Sequence, residues 1–122
     1  MLSPTTLLSS ALAVFCGAFL GGACRFWLSR IPVPRAGTFT ANVAACAVLG
    51  FVALAPASWQ LACGVGFAGA LSTFSTLARE IGELCKARSY RRAAEYVLFT
   101  AALGVAAAGF GALWGGRSEF FA

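Results

Sequence analysis

Gly64-Val65-Gly66-Phe67-Ala68-Gly69-Ala70-Leu71-Ser72-Thr73-Phe74-Ser75-Thr76-Leu77-Ala78-Arg79-Glu80 sets three glycines and four closely spaced hydroxyl residues inside an otherwise apolar segment. Each glycine costs a helix interior about 1 kcal/mol relative to alanine. Backbone released from a helix at membrane depth is tolerated only where protein buries it or where it lines a polar cavity. The run therefore predicts a deliberate break in a membrane helix, at a place where something polar binds or passes.

The remainder of the chain supports a membrane setting. Its 122 residues are 60% hydrophobic and 11% charged, against roughly 25% charged in an ordinary soluble domain. The mean hydropathy is +0.83. A hydrocarbon core about 30 Å thick takes roughly 20 apolar residues per helical span. The length thus accommodates one all-α membrane domain over residues 1–122, a four-helix bundle with a broken third helix. Its spans fall at about 5–28, 37–54, 61–85 and 93–114.

The net charge of +5 comes from basic residues lying between apolar runs, where lipid head groups explain them and nucleic acid is not needed. The five cysteines, Cys16, Cys24, Cys46, Cys63 and Cys85, show no Cys-x-x-Cys spacing and read as small packing residues. With no His, no Asp and only four acidic residues, the chain has little acid–base or side-chain metal chemistry, and it is not expected to be an enzyme.

The first span lacks the basic start of a signal peptide and is read as a mature helix. Gly17, Ala18, Gly21 and Gly22 place small residues at helical spacing, which lets two helix backbones approach closely. Arg25 follows near the end of that span, where a basic side chain commonly snorkels to head groups. On the second span Thr38 and Asn42 stand four residues apart on one face. An Asn inside a membrane helix serves more often as interhelical glue than as a ligand group. On the last span Tyr96, Thr100 and Gly104 repeat at four, and Thr100 could instead bond back to its own helix.

Eight of the nine Lys and Arg residues fall on one side of this topology: Arg25, Arg30, Arg35, Arg79, Lys86, Arg88, Arg91 and Arg92. Arg117 stands alone on the other. Positively charged loops stay cytoplasmic, so both termini are expected outside, in a single orientation.

Taken together, the length, the four spans, the small-residue run ending in Arg25, the Gly37-Thr38 to Asn42 element and above all Gly66-Phe67-Ala68-Gly69-Ala70-Leu71-Ser72-Thr73-Phe74-Ser75-Thr76 resemble the Fluc (CrcB-type) fluoride channels. The resemblance implies a passive fluoride channel of the plasma membrane, built as an antiparallel dimer with two narrow pores. It also implies a structural sodium ion at the dimer centre, held by the backbone carbonyls of Gly69 and Ser72 and not transported. Thr38, Asn42, Ser75, Thr76, Tyr96 and Thr100 would supply donors along the anion path, and Phe74 would present its ring edge, the positive part of the aromatic quadrupole. Arg25 would add a positive field near the vestibule, and Glu80 falls where the family often carries a carboxylate near one pore end.

Two departures from the family pattern stand out. Leu77 occupies the place of a usual second Phe, and Gly104 sits where a hydroxyl is often found. Because a homodimer of antiparallel chains needs near-balanced loop charge, eight against one favours a heterodimer with a homologous chain of opposite bias. A mainly structural subunit is the alternative that Leu77 keeps open. A small four-span drug/proton antiporter shares the size, but it needs an ionisable carboxylate in its first span, and residues 5–28 contain none.

Overall fold

A computed structural model describes residues 2–117 and 119–121, and the regular elements within them are helical. Helix α1 spans Pro4–Ser29 and α2 spans Ala36–Phe51. Helix α3 covers residues 57–71, α4 spans Phe74–Lys86, α5 spans Tyr90–Arg117, and a 3-10 turn follows at Glu119–Phe121.

Local sequence sets these limits. Ser3 caps α1, its hydroxyl accepting from the Thr6 N–H at 3.2 Å, and Pro4 follows at the first helical position, where a missing N–H costs nothing. Pro32 and Pro34 forbid continuation of α1, and Arg35 enters α2 from the left-handed region at φ 65°. Pro56 starts α3 after the turn that ends α2. Between α4 and α5, Arg88 takes φ 56°, its N–H donating to Cys85 O at 3.0 Å while Ser89 N–H donates to Leu84 O at 2.9 Å. That paired bonding closes a helix C-terminus in the manner usually given to glycine.

Helix α1, the run 57–86 and α5 are each long and apolar enough to cross a membrane. Helix α2 is apolar but shorter, with 16 residues, or about 24 Å at 1.5 Å per residue. The predicted second span ran on to Leu54, but the helix gives way at Val52 to the turn preceding Pro56.

Two helix pairs, α1 with α3 and α2 with α5, make the most extensive contacts. Both are backbone-to-backbone seams. A Cβ at Gly17 would overlap Ala62 O, one at Gly21 would overlap Phe67 O, and one at Gly111 would overlap Ala47 O. Such contact is how helices associate where lipid removes the hydrophobic incentive to bury large side chains. The buried cluster is correspondingly small, consisting of Ala41, Ala45, Ala68 and Leu71.

The break in the third span is narrower than the glycine-rich run suggests. Residues Gln60–Ala68 are helical with π-type bonding, and Gly69–Leu71 add one further turn. Only Ser72 (φ −71°, ψ 155°) and Thr73 (φ −152°, ψ 117°) are extended before α4 begins. Gly66 therefore does not break the helix; it packs against α1, where a Cβ would stand 2.6 Å from Val14 O.

Two substitutions separate seam glycines from idle ones. Gly17→Val should push α1 off α3 and cost about 1–3 kcal/mol. Gly82→Ala, where nothing lies within 4 Å of the added carbon, should gain up to about 1 kcal/mol of helix stability. Thermal unfolding of the detergent-solubilised variants measures both, and equal stabilities would contradict the seam.

Candidate functional site

Thr73 is the hub of the interruption. It is 8% exposed and caps α4, its hydroxyl accepting from the Thr76 N–H at 3.3 Å. The Asn42 side chain on α2 meets its backbone twice: Nδ2 donates to Thr73 O at 3.1 Å, and Oδ1 accepts from Thr73 N–H at 2.7 Å. One amide thus replaces the ladder bonds that an unbroken helix would give this residue. In such a helix Thr73 N–H would donate to Gly69 O, so that carbonyl loses its donor. The Ser72 hydroxyl is 3.5 Å from Gly69 O, at the outer limit of a hydrogen bond. Gly69 is exposed, and the nearest atom to a Cβ there would be Gly64 O at 3.9 Å.

Arg25 is turned inward from α1 and does not snorkel to head groups. Its Nη2 donates to Thr73 Oγ1 at 2.9 Å and to Thr76 Oγ1 at 3.1 Å. The Thr73 hydroxyl in turn donates to Thr76 Oγ1 at 3.1 Å, with Ser75 Oγ 3.4 Å away. The guanidinium therefore holds the cap hydroxyl of α4 and that of Thr76 in its first turn.

Glu80 joins three helices. It stands two turns along α4, half-buried, and accepts from Thr38 Oγ1 of α2 at 2.9 Å and from Tyr96 OH of α5 at 2.7 Å. A carboxylate holding two neutral donors is fixed in orientation, and hydrogen bonds to an ionised acceptor are the stronger kind. Its neighbour Arg79 is mostly exposed, 3.9 Å from Glu83.

Two polar hollows adjoin these groups. The inner one, about 180 Å³, is lined by Arg25, Thr38, Thr73, Thr76 and Arg79 among others; the second, about 280 Å³, includes Arg35, Thr38, Thr76, Arg79 and Glu80. They share Ser29, Gly37, Thr38, Thr76 and Arg79. Three guanidinium groups and several hydroxyls against one carboxylate, itself already bonded, make an environment suited to a small anion.

The chain divides the residues singled out in the sequence into two sets. Arg25, Thr38, Asn42, Thr76, Glu80 and Tyr96 converge around the interruption, whereas Gly69, Phe74 and Ser75 face outward, with Phe74 83% exposed. Leu77 is half-buried. Thr100 Oγ1 is buried and, among the described residues, has no partner, not even on its own helix. Gly104 is buried where an added Cβ would stand 3.3 Å from Cys46 Sγ, so its smallness keeps α5 close to α2. Among the described residues no group of three or more His, Cys, Asp or Glu stands together where it could hold a metal ion.

Thr73 itself was not among the residues predicted from sequence to form the site. The available signal was its type: Thr is a preferred N-cap, and another hydroxyl follows three residues later. The Asn42 clamp sets an order of stabilities. Asn42→Ala should leave the Thr73 N–H and C=O unpaired and cost about 1–3 kcal/mol. Asn42→Asp should cost more, because it also sets a carboxylate against the Thr73 carbonyl. Thermal unfolding tests this order, and wild-type stability in both variants would refute the clamp.

Comparison with known proteins gives a consistent picture. The family described as "CrcB-like protein, Camphor Resistance (CrcB)" matches residues 12–112. A Corynebacterium diphtheriae protein named fluoride-specific ion channel FluC 2 is 50% identical over 88 residues, covering 72% of this chain and 84% of its own. A Thermococcus onnurineus protein named fluoride-specific ion channel FluC is 39% identical, covering 69% and 77%. A Listeria monocytogenes protein named fluoride-specific ion channel FluC 1 is 36% identical, covering 89% and 99%. With most of its length matched by the family and by such relatives, this membrane chain, interrupted at Ser72 and Thr73, belongs to the CrcB-like family.

Proposed function

We propose that the chain is one half of a passive, fluoride-specific ion channel, completed by a second subunit packed antiparallel to it. The observation that carries this reading is the convergence of Arg25, Thr38, Thr73 and Thr76 on adjoining polar hollows inside an otherwise apolar chain. Fluoride is small and tightly hydrated, so a pore must replace its water with closely placed donors. The hydroxyls and guanidinium groups at these hollows are donors of that kind. The names of the relatives, fluoride-specific ion channels, supply the identity of the ion.

The outward set is assigned to the subunit interface. Phe74, 83% exposed, would set its ring edge toward an anion passing between the chains, with Ser75, Thr76, Asn42, Tyr96 and Thr100 continuing the polar track. A structural sodium ion suits the same face: hard cations take oxygen ligands, and the interruption deprives Gly69 O of its helical donor. The Gly69 and Ser72 carbonyls would hold that ion with the matching pair of the second chain. Bound there, it would join the two interrupted helices electrostatically and would not be transported.

Eight of nine basic residues on one side favour a single orientation in the plasma membrane with both termini outside. Whatever the orientation, fluoride formed inside from entering HF would leave passively, driven by its gradient and the membrane potential. The same bias favours a heterodimer with a homologous subunit of opposite charge, and relatives named FluC 1 and FluC 2 fit paired subunits. Leu77, in place of a second aromatic ring, favours a second reading: this chain is mainly the structural partner of a more active copy.

Fluoride efflux from liposomes, followed with a fluoride electrode, tests these proposals. The chain is reconstituted alone and together with a homologous subunit; efflux is expected from the second preparation, and efflux from neither would overturn the channel. Phe74→Ile should abolish flux through a pore to which this chain contributes and leave flux unchanged if the chain is structural only. Asn42→Asp should reduce flux at least about tenfold, equivalent to about 1.4 kcal/mol of barrier, by placing negative charge in the anion path.

A further inference from the structure

The end of the chain remote from the polar cluster carries an apolar groove of about 560 Å³ between α2, α3, α5 and the 3-10 turn. Its lining includes Phe51, Trp59, Cys63, Phe110, Trp114 and Phe121; none of the lining side chains is charged, and their polar groups are two indole N–H groups and one thiol. The turn is folded against it: the Phe121 ring lies 5.5 Å from that of Phe51 and 5.9 Å from that of Trp59. A second hollow, about 240 Å³, shares Phe110 and Trp114 with the first and is also lined by Leu113 and Arg117. Arg117 is the last residue of α5 and, among the described residues, makes no ion pair. The charge nearest to it in sequence is Glu119, exposed on the 3-10 turn.

An apolar hollow of this size is far larger than the voids of a packed interior. Water gains no hydrogen bonds in it, and an empty hollow forfeits dispersion contacts along its whole lining. Hydrocarbon is the matter available to fill it at membrane depth. Phe110 stands seven residues before Arg117 on α5, about 10 Å along the helix axis. The groove thus runs from a cation at the helix end along an apolar helix, and it is lined by Trp59 and Trp114, a residue type enriched where membrane helices meet head groups.

We propose that this groove is a binding site for one anionic phospholipid, its acyl chain lying along Phe110 and Trp114 and its phosphate on the Arg117 guanidinium. The pairing gives a role to the arginine at this end of the chain, where it stands beside an apolar groove and makes no ion pair among the described residues, and it does not depend on what the protein conducts. An arginine near an anionic lipid surface is worth about fivefold in binding.

The test uses the full chain with Trp27→Phe and Trp59→Phe, so that Trp114 is the sole indole, reconstituted in nanodiscs containing brominated lipid. Brominated phosphatidylglycerol should quench Trp114 at about fivefold lower mole fraction than brominated phosphatidylcholine. Arg117→Gln should abolish that difference, and Arg117→Lys should retain most of it. Equal quenching by the two lipids, or a preference that survives Arg117→Gln, would overturn the proposal. Absence of quenching by either lipid would overturn it too, and would assign the groove to a second protein chain. Unchanged elution on size exclusion shows that each variant is folded.

Discussion

A helix interrupted within a membrane must find partners for the backbone groups it releases, and here a single side chain meets the main part of that requirement. Asn42 gives the Thr73 carbonyl a donor and the Thr73 N–H an acceptor, so the extended pair Ser72–Thr73 is held without adding charge. A neutral amide is the side chain suited to this because it carries donor and acceptor together. With its backbone occupied, Thr73 uses its hydroxyl to cap α4 and to receive Arg25. The position of α4, and with it that of Thr76 and Glu80, follows from this one clamp.

The clamp works because the helices around it are close. Gly17 and Gly21 bring α1 onto α3, which carries Arg25 to the interruption; Gly104 and Gly111 bring α5 onto α2, which lets Tyr96 reach the carboxylate that Thr38 also holds. Small residues at the seams and polar residues at the centre are two sides of one arrangement. Dispersion contacts between backbones hold the helices together, and the polar groups so enclosed satisfy one another. Gly69 and Phe74 face away from this arrangement, and Ser75, also exposed, touches it only through its hydroxyl, 3.4 Å from that of Thr73.

The two ends of the molecule differ in chemistry. At one, Arg25, Arg35 and Arg79 surround hollows whose single carboxylate, Glu80, is engaged by hydroxyls. At the other, aromatic rings from α2, α3, α5 and the 3-10 turn enclose a groove with Arg117 at its rim. An asymmetric charge distribution of this kind both orients a chain during insertion and sets the potential met by a mobile anion.

Much of this was legible in the sequence for a simple reason: lipid enforces regular helices, so an apolar composition with Pro-rich and charged turns leaves few alternatives. The stretch from Gly64 to Glu80 announced an interruption, and the Asn42 amide announced an interhelical bond. Tertiary structure decided the rest. That the glycines of α3 pack against α1, while Ser72 and Thr73 alone break the helix, depends on which face meets a neighbour. That Arg25 turns inward and Glu80 is engaged depends on partners 48 and 42 residues away along the chain. Thr73 looked like one hydroxyl among four because a cap is defined by the backbone it terminates. Periodicity locates helices, but the pairing of a buried polar group is set by what the fold brings within about 3 Å of it.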